Sequence, residues 1–292
     1  MVTLSDIQSA RARLRGVTVH TPLVQFPLCD ADPRRLFLKP ENQQPIGAFK
    51  LRGAYNKIAQ LSDAERQRGV ITYSSGNHGQ GVAYAARALG TKAVIVMPDS
   101  APEVKRKKTA ELGAEIIVVG SSGVERQIKA EELAAQHGYV IVPPYNDEQI
   151  IAGQGTMGLE ILEDLQEVEM VLAPVGGGGM LSGLATAIKL SRPSVKVIGV
   201  EPAIAGDAQA SFRARKIVEF PASEVTQTIA DGLRAQSIGE INFAHITRYV
   251  DDIITVTEDE IRRATLYLSR NPATLAEPSG AVATAGFVFR AA

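Results

Sequence analysis

The stretch Val70-Ile-Thr-Tyr-Ser-Ser-Gly-Asn-His-Gly-Gln80 decides the fold class of this chain. Its first four residues are a β-branched run typical of a strand, and the Ser/Gly turn after them opens an Ala-rich helix that Gly90 ends. Strands and helices keep alternating up to Val142, and the strands are mostly apolar. Such alternation indicates a parallel sheet covered on both faces, so the sequence predicts an α/β fold.

A second series of strands and helices occupies the C-terminal half of the chain. Its last strand, Asp252–Val256, leads into a helix that the capping box Thr257-Glu-Asp-Glu260 opens. Two such series predict two lobes, each a largely parallel sheet flanked by helices. We expect the first segment to pack with the second series. The predicted domains are therefore a large one of residues 1–66 and 147–292 and a small inserted one of residues 67–146.

Two local patterns predict where other helices begin. Ser5-Asp-Ile-Gln8 has the form of a capping box that opens the first helix. Gly153-Gln-Gly-Thr-Met-Gly158 matches G-x-G-x-x-G, but Pro143 and Pro144 separate it from the preceding strand. This second pattern therefore predicts a closely packed helix start near Thr156 and not a dinucleotide site.

Composition limits the class of protein and its partners. The 292 residues are 45% hydrophobic and 22% charged, which is enough for a large buried core. A net charge of −1 argues against nucleic-acid or anionic-membrane partners. The single cysteine, Cys29, excludes an intramolecular disulfide, and no run is apolar enough to span a bilayer. Without a signal-peptide pattern, we expect a cytoplasmic enzyme.

Lys50 lies in Pro45-Ile-Gly-Ala-Phe-Lys-Leu-Arg-Gly-Ala54, where small residues surround it and Phe49 precedes it. A partly desolvated lysine loses its proton easily and can attack a carbonyl group. The small neighbours leave space for a flat group beside the amine, and an aromatic ring could stack on that group. The alternative is an ordinary surface lysine at the junction between a strand and a helix.

Two loops rich in glycine could hold the remainder of such a ligand. Gly176-Gly-Gly-Gly-Met-Leu-Ser182 joins a strand to a helix, and amides at a helix N-terminus bind phosphate. Ser74-Ser-Gly-Asn-His-Gly-Gln80 has the same position after another strand and could hold a carboxylate. Either loop could also be a plain turn. With Lys50, they fit a phosphorylated aldehyde cofactor that holds an amino acid.

These residues resemble the serine/threonine dehydratase and serine racemase family, which are pyridoxal-phosphate enzymes of fold type II, like the tryptophan synthase β subunit. The resemblance covers nearly the whole chain. It runs in order through Thr21-Pro-Leu23, Lys39-Pro-Glu-Asn42, Gly47-Ala-Phe-Lys-Leu-Arg-Gly-Ala-Tyr55, Ser74-Ser-Gly-Asn-His-Gly-Gln80, Ala152-Gly-Gln-Gly-Thr156, Val175-Gly-Gly-Gly-Gly-Met180 and Ala276-Glu-Pro-Ser-Gly280. Each motif alone is moderately specific, and together they are highly specific.

The resemblance implies the cofactor contacts. Lys50 would form the Schiff base with pyridoxal 5'-phosphate, Phe49 would stack on its ring, and Asn77 would bond its phenolic oxygen. The residues implied to hold the phosphate are Gly176, Gly177, Gly178, Gly179 and Met180. The residues implied to line the substrate-carboxylate site are Ser74, Ser75, Asn77 and His78. The small domain would then close over the substrate.

The implied reaction is the removal of ammonia from a β-hydroxy-α-amino acid such as L-threonine or L-serine, with Lys50 as the base. An alternative is amino-acid racemisation, in which Ser75 would be the second acid/base on the opposite face of the cofactor. The resemblance also implies a Mg²⁺ site, or a Ca²⁺ or Mn²⁺ site, in Glu201-Pro-Ala-Ile-Ala-Gly-Asp207. Its ligands would be the carboxylates of Glu201 and Asp207 and the carbonyl of Ala205.

Two features depart from the family pattern. Ala48 replaces a usual serine, which removes one hydroxyl group near the cofactor. The printed chain ends with Phe287-Val-Phe-Arg-Ala-Ala292, before the Ser-Gly-Gly-Asn-like turn whose serine contacts the pyridine nitrogen in that family. An interpretation of another class therefore stays open, namely a truncated, inactive relative that only binds cofactor or partners. The resemblance further implies a homodimer.

Overall fold

A computed structural model describes residues 1–29, 31–74, 76–99, 101, 103–120 and 123–290. Its helices are α1 (Leu4–Leu14), α2 (Lys50–Ile58), α3 (Asp63–Arg68), α4 (Asn77–Ala88), α5 (Glu103–Glu111), α6 (Gly123–His137), α7 (Glu148–Asp164), α8 (Gly179–Ser191), α9 (Asp207–Ala214), α10 (Ala222–Val225), α11 (Glu240–Tyr249), α12 (Glu258–Leu268) and α13 (Pro278–Phe289). Its strands are β1 (Val24–Phe26), β2 (Leu36–Leu38), β3 (Val70–Tyr73), β4 (Ala93–Pro98), β5 (Glu115–Val119), β6 (Val140–Ile141), β7 (Met170–Pro174), β8 (Lys196–Pro202) and β9 (Asp252–Val256). None of the helices in these ranges is long and apolar enough to cross a membrane.

The larger sheet has four parallel strands in the order β5-β4-β3-β6. Strand β4 pairs with β3 from Val70↔Ala93 to Tyr73↔Val96 and with β5 on its other side. Every residue of β4 is buried, because it is a central strand and helices α4 and α6 pack against it. Its uninterrupted apolar sequence is the pattern that such a position requires.

A second parallel sheet has the order β7-β8-β9, and helices α8 and α13 pack against it. These two sheets confirm the predicted α/β class. The sequence did not predict the short antiparallel pair of β1 and β2, in which Val24 faces Leu38 and Phe26 faces Leu36. The sequence predicts a short strand at Leu36–Lys39, which β2 confirms, but three residues are too short to show which strand they pair with.

The capping boxes give one confirmation and one correction. Thr257 caps α12 with Glu260, as predicted. The box predicted at Ser5 and Gln8 is wrong, because α1 begins two residues earlier with Thr3 as its N-cap. The Thr3 hydroxyl accepts a 3.2 Å bond from the amide of Asp6, whose carboxylate accepts a 2.8 Å bond from the amide of Thr3.

Helix α7 also begins earlier than predicted. Asp147 is its N-cap, so the predicted start near Thr156 is wrong and the G-x-G-x-x-G residues lie inside the helix. Their close packing is confirmed. A Cβ atom on Gly153 would lie 2.6 Å from the main-chain oxygen of Arg52, and one on Gly155 would lie 2.9 Å from that of Gly183. These glycines let α7 contact α2 and α8 at backbone distance.

Candidate active site

One cleft of about 2090 Å³ contains the main-chain turns at the carboxyl ends of β3 and β7. These two strands belong to different sheets, and the cleft brings their carboxyl ends together, which are the ends where parallel α/β sheets bind ligands. Helix α2 supplies Lys50 from the other side. The predicted site residues that line this cleft are Phe49, Lys50, Ser74, Asn77, His78, Gly176, Gly177, Gly178, Gly179 and Met180. Ser75 lies outside the described residues.

Lys50 is the first residue of α2, and its amine has a definite partner. Its Nζ atom donates a 2.7 Å hydrogen bond to the main-chain oxygen of Pro144 and lies 5.5 Å from the centre of the Phe49 ring. Burial of the ammonium group lowers the pKa of Lys50 to about 8. A lysine with this pKa is partly unprotonated near neutral pH, as a nucleophile or a base requires.

The turn after β3 leads into α4, and its side chains are held by distant parts of the chain. Asn77 donates from Nδ2 a 2.8 Å bond to Oε1 of Glu277, which is the N-cap of α13. The Ser74 hydroxyl accepts a 3.3 Å bond from the Gly76 amide. The Asn77 contact anchors the N-terminus of α4, where amide groups can receive a carboxylate.

His78 is buried directly behind this turn. Its Nε2 atom lies 3.0 Å from the main-chain oxygen of Val142, while its buried Nδ1 atom has no hydrogen-bond partner. Burial, together with the charge of Lys50, lowers the pKa of His78 to about 3. The ring is therefore neutral at ordinary pH, with the proton on Nε2 and an acceptor lone pair on Nδ1.

The four glycines form a tight connection between β7 and α8. Gly178 has a φ of 92°, in the left-handed region that favours glycine. A Cβ atom on Gly177 would overlap the ring of Tyr145, and one on Gly179 would lie 2.9 Å from Cβ of Tyr145. The loop therefore has no room for side chains, and its amides at the N-terminus of α8 fit a phosphate group.

Two contacts from elsewhere support the glycine loop from behind. The Gly239 amide donates a 3.2 Å bond to the main-chain oxygen of Gly177. Asn242, which is fully buried, donates from Nδ2 a 3.3 Å bond to the main-chain oxygen of Tyr145. These contacts fix the loop before a ligand binds, which lowers the entropy cost of binding.

Glu201 and Asp207 are both fully buried, as is Ala205. The carboxylate of Glu201 accepts bonds of 3.2 and 2.8 Å from the amides of Ala208 and Gln209, whereas the carboxylate of Asp207 has no hydrogen bond of good geometry, although the amides of Asp207 and Ile238 act to lower its pKa. Burial and the charge of Asp207 raise the pKa of Glu201, and burial raises that of Asp207 to about 7. Two buried carboxyl groups with oxygens to spare fit a hard cation. Among the residues described, no group of three or more His, Cys, Asp or Glu side chains is placed so that it could hold a metal ion.

Sequence reasoning missed three contributors to the cleft. Pro144 contributes a carbonyl group and Tyr145 a ring against the glycine loop, neither of which has a sequence signature. Glu277 contacts Asn77 across 200 positions of sequence. The only available signal was the motif Ala276-Glu-Pro-Ser-Gly280, which supported the family resemblance but was given no role.

Comparisons with known proteins identify the family. Residues 15–292 match the family described as pyridoxal-phosphate dependent enzyme, so the chain belongs to the family of pyridoxal-phosphate dependent enzymes. The L-threonine ammonia-lyase of Thermotoga maritima is 45% identical over 286 residues, which are 98% of this chain and 71% of that protein. The L-threo-3-hydroxyaspartate ammonia-lyase of Saccharomyces cerevisiae is 40% identical over 289 residues, which are 99% of this chain and 88% of that protein.

A solved structure extends the likeness to the fold. The structure of maize serine racemase has a TM-score of 0.95 and 36% identity, and the match covers 99% of this chain and 87% of that one. Proteins named for ammonia-lyase and for racemase activity thus both match nearly the whole chain. These matches confirm the predicted resemblance to the dehydratase and racemase family and its fold type.

Proposed function

We propose that this protein is a pyridoxal-phosphate-dependent ammonia-lyase that converts a β-hydroxy-α-amino acid, such as L-threonine or L-serine, to a 2-oxo acid and ammonia. One observation carries the proposal. A lysine amine with a lowered pKa faces the same cleft as a glycine loop that fits phosphate and a turn that fits a carboxylate. The similarity to ammonia-lyases over nearly the full length supports the same reaction.

Each proposed role follows from the position of the residue. The amides of Gly176–Gly179, with Met180, hold the cofactor's phosphate, and Asn77 bonds its phenolic oxygen while Glu277 fixes the Asn77 amide. Phe49 lies beside the Lys50 amine and would pack against the cofactor ring. When bound, the cofactor withdraws electrons from the substrate's α-carbon and so makes its proton acidic.

The protein groups then bind the substrate and move its proton. Ser74 and the amides that begin α4, including that of His78, receive the carboxylate. Lys50 takes the α-proton at Nζ, and the β-hydroxyl group accepts one proton as it leaves, so that the α-hydrogen and the hydroxyl are lost together as one water molecule. Loss of water from the amino acid leaves an enamine, which tautomerises and is hydrolysed to the 2-oxo acid and ammonia.

We further propose a divalent cation, Mg²⁺ or Ca²⁺ or Mn²⁺, at Glu201 and Asp207 with the carbonyl of Ala205 as a third ligand. The burial of both carboxyl groups supports this site, since a cation would neutralise two carboxylates that are poorly solvated and of which Asp207 has no hydrogen bond of good geometry. The site is separate from Lys50, so we assign the cation a structural role.

A second candidate activity is amino-acid racemisation with Lys50 and Ser75 as the two acid/base groups. The likeness to maize serine racemase and the serine at position 75 favour it. Replacing that serine separates the activities. The Ser75→Ala protein should lose racemisation and keep elimination from the L-substrate if elimination needs Lys50 alone.

Three further proposals concern organisation. Residues 67–146, which contain β3–β6, form a small domain that closes over the substrate, and residues 1–66 and 147–292 form the large domain. The protein acts as a cytoplasmic homodimer, as the family resemblance implies. Light scattering with size-exclusion chromatography tests the dimer, and a monomer at micromolar concentration would contradict it.

The decisive experiment is a product assay on protein reconstituted with pyridoxal phosphate. L- and D-serine, L- and D-threonine and 3-hydroxyaspartate are incubated with it, with and without Mg²⁺, and 2-oxo acid and ammonia are measured. We expect equal amounts of both products from at least one L-substrate. Protein that binds the cofactor yet forms neither 2-oxo acid nor inverted amino acid would overturn the proposal and support an inactive relative.

A further inference from the structure

Arg52 is at the centre of a buried cluster of charges directly below the first turn of α2. Its side chain is 1% exposed. It donates from Nε and Nη2 to the two carboxylate oxygens of Glu41, both at 2.8 Å, and from Nη1 and Nη2 to those of Glu160, at 2.6 and 2.9 Å. The remaining contacts go to the Thr156 hydroxyl at 3.1 Å and the Val19 carbonyl at 3.3 Å. The guanidinium group is thus held by two forked pairs at once.

The cluster extends to other residues of the family motifs. Lys39 Nζ lies 2.6 Å from Oε2 of Glu160 and donates a 2.6 Å bond to the main-chain oxygen of Thr21. The Thr21 hydroxyl donates a 2.9 Å bond to Glu41. The proposed function uses none of these side chains, although Thr21, Lys39, Glu41 and Arg52 all lie in motifs that carry the family resemblance.

Opposing effects act on these buried ionisable groups. Burial favours neutral forms, but the bonds and charges of Glu41 and Glu160 raise the pKa of Arg52. Burial likewise works against the Glu160 carboxylate, whose pKa the bonds and charges of Arg52 and then Lys39 lower. Arg52 and Glu160 therefore stay charged and bonded to each other. Removing one partner from a buried set of this kind leaves a charge without compensation.

The cluster acts on the helix that carries Lys50. Residues two positions apart in an α-helix point about 200° apart around its axis, so Arg52 and Lys50 project from nearly opposite sides of α2. A Cβ atom on Gly53 would lie 2.9 Å from the main-chain oxygen of Ile150, and one on Gly153 would lie 2.6 Å from that of Arg52, so α2 lies against α7 at backbone distance. Arg52 thus joins α2 to Glu160 of α7 and to Glu41, while Lys50 faces the cleft.

We propose that Arg52 is a positioning residue for Lys50, and that its paired bonds to Glu41 and Glu160 set the direction of α2's first turn and so the place of the Lys50 amine. This inference rests on the proposed role of Lys50 as the cofactor's lysine. Two planar forked pairs fix both the rotation of the helix about its axis and its distance from its neighbours. Apolar contacts have no preferred direction and restrict this rotation less. Because no charge of the cluster shifts the pKa of Lys50, which burial lowers, the cluster controls direction and not acidity.

The test separates cofactor capture by the amine from phosphate binding. Pyridoxal phosphate and pyridoxine phosphate share the ring and phosphate, but only the first has the aldehyde that Lys50 attacks. In Arg52→Lys, the positive charge remains but both forked pairs are lost, because an ammonium group has only one nitrogen. We expect affinity for pyridoxal phosphate to fall about tenfold, as loss of one good charged contact would give, and that for pyridoxine phosphate to change less than about twofold. Cofactor-free protein is titrated with each ligand, and binding is followed by protein fluorescence and by the absorbance of the lysine-bound aldehyde.

Arg11→Lys is the matched control. Arg11 also makes a forked pair to α7, with Glu163 at 2.5 and 2.6 Å, but this pair is exposed and joins α7 to α1. The Arg11→Lys variant should bind pyridoxal phosphate and pyridoxine phosphate with the wild-type affinities. Glu160→Gln is a second variant of the buried cluster and should show the same selective loss, so the proposal stays testable if Arg52→Lys does not fold.

Two outcomes contradict different claims. In Arg52→Lys and Glu160→Gln, the affinities for the two ligands could fall by the same factor, or neither could fall. Either result would show that the cluster serves folding only and would overturn this inference. If the wild-type protein bound pyridoxal phosphate and pyridoxine phosphate with equal affinity and formed no covalent bond between Lys50 and the aldehyde, the proposed function would be overturned instead. Thermal melting of each variant, compared with Arg11→Lys, separates folding defects from binding defects.

Discussion

The Nζ atom of Lys50 donates a 2.7 Å hydrogen bond to the main-chain oxygen of Pro144, a residue 94 positions further along the chain. Pro143 and Pro144 have no N–H groups, so neither residue can donate a backbone hydrogen bond to a strand or a helix. The neighbouring carbonyl of Val142 faces His78 at 3.0 Å, and that of Tyr145 accepts a bond from Asn242 at 3.3 Å. One short segment thus holds the amine, the histidine and the support of the glycine loop.

Lys50→Ala should abolish both the visible absorbance of the lysine-bound cofactor and ammonia release. We expect a fall in ammonia release of more than about 10²-fold, the low end for removing a positioned base. Lys57→Ala is the control on the same helix. The Lys57 amine lies 2.7 Å from the carboxylate of Asp147, and this pair is outside the cleft. That variant should keep its activity, because Lys57 does not line the cleft. An unchanged absorbance band in Lys50→Ala would refute the assignment.

The rate of cofactor capture should depend on pH through the Lys50 amine. Only the unprotonated amine attacks the aldehyde, and the pKa of Lys50 is about 8. The unprotonated fraction therefore rises as pH increases towards 8 and levels off above it. Stopped-flow absorbance between about pH 6 and 10, with a free lysine derivative as reference, measures this profile. The reference should keep accelerating to near pH 10, where an ordinary lysine titrates, and a protein rate that rises in the same way would count against a buried amine.

Gly177→Ala should weaken cofactor binding far more than Gly176→Ala. A methyl group on Gly177 would overlap the Tyr145 ring, whereas one on Gly176 would have its nearest neighbour, the main-chain oxygen of Gly232, at 3.2 Å. Both variants keep the amide groups, so the comparison isolates the shape of the loop. Titration with pyridoxine phosphate gives the two affinities. Equal losses in the two variants would indicate that Tyr145 does not define the loop.

A divalent cation should stabilise the protein through Asp207. Calcium at about 100 times its dissociation constant contributes about 2.7 kcal/mol, which corresponds to a rise in melting temperature of several degrees. Asp207→Asn should lose most of this rise, because it removes one of two buried carboxylates. Glu163→Gln, which alters an exposed carboxylate, should keep it. Differential scanning calorimetry with calcium or with a chelator measures the effect, and equal rises in Asp207→Asn and wild type would place the cation elsewhere.

The local parts of the fold and the site could be predicted from the sequence. Apolar strands such as Ala93–Pro98 indicated a buried parallel sheet, because only a sheet covered on both faces needs them. Lys50 and the four glycines were found for a similar reason. Burying a lysine among small residues costs solvation free energy, and ordering a run of glycines costs backbone entropy. Binding a ligand is the simplest reason for a chain to have both.

Only the tertiary structure decided which distant residues complete these local signals. The contacts of Asn77 with Glu277, of Lys50 with Pro144 and of Arg52 with Glu160 join positions about a hundred or more apart. Such pairs depend on how closely α7 and α13 pack against their neighbours, and the periodic pattern of apolar residues in the sequence does not specify this distance. The N-cap of α7 was missed for the same reason, since glycines that look like a loop are helical where another backbone must come close. The sequence by itself determined the chemistry available, and packing determined where each group points.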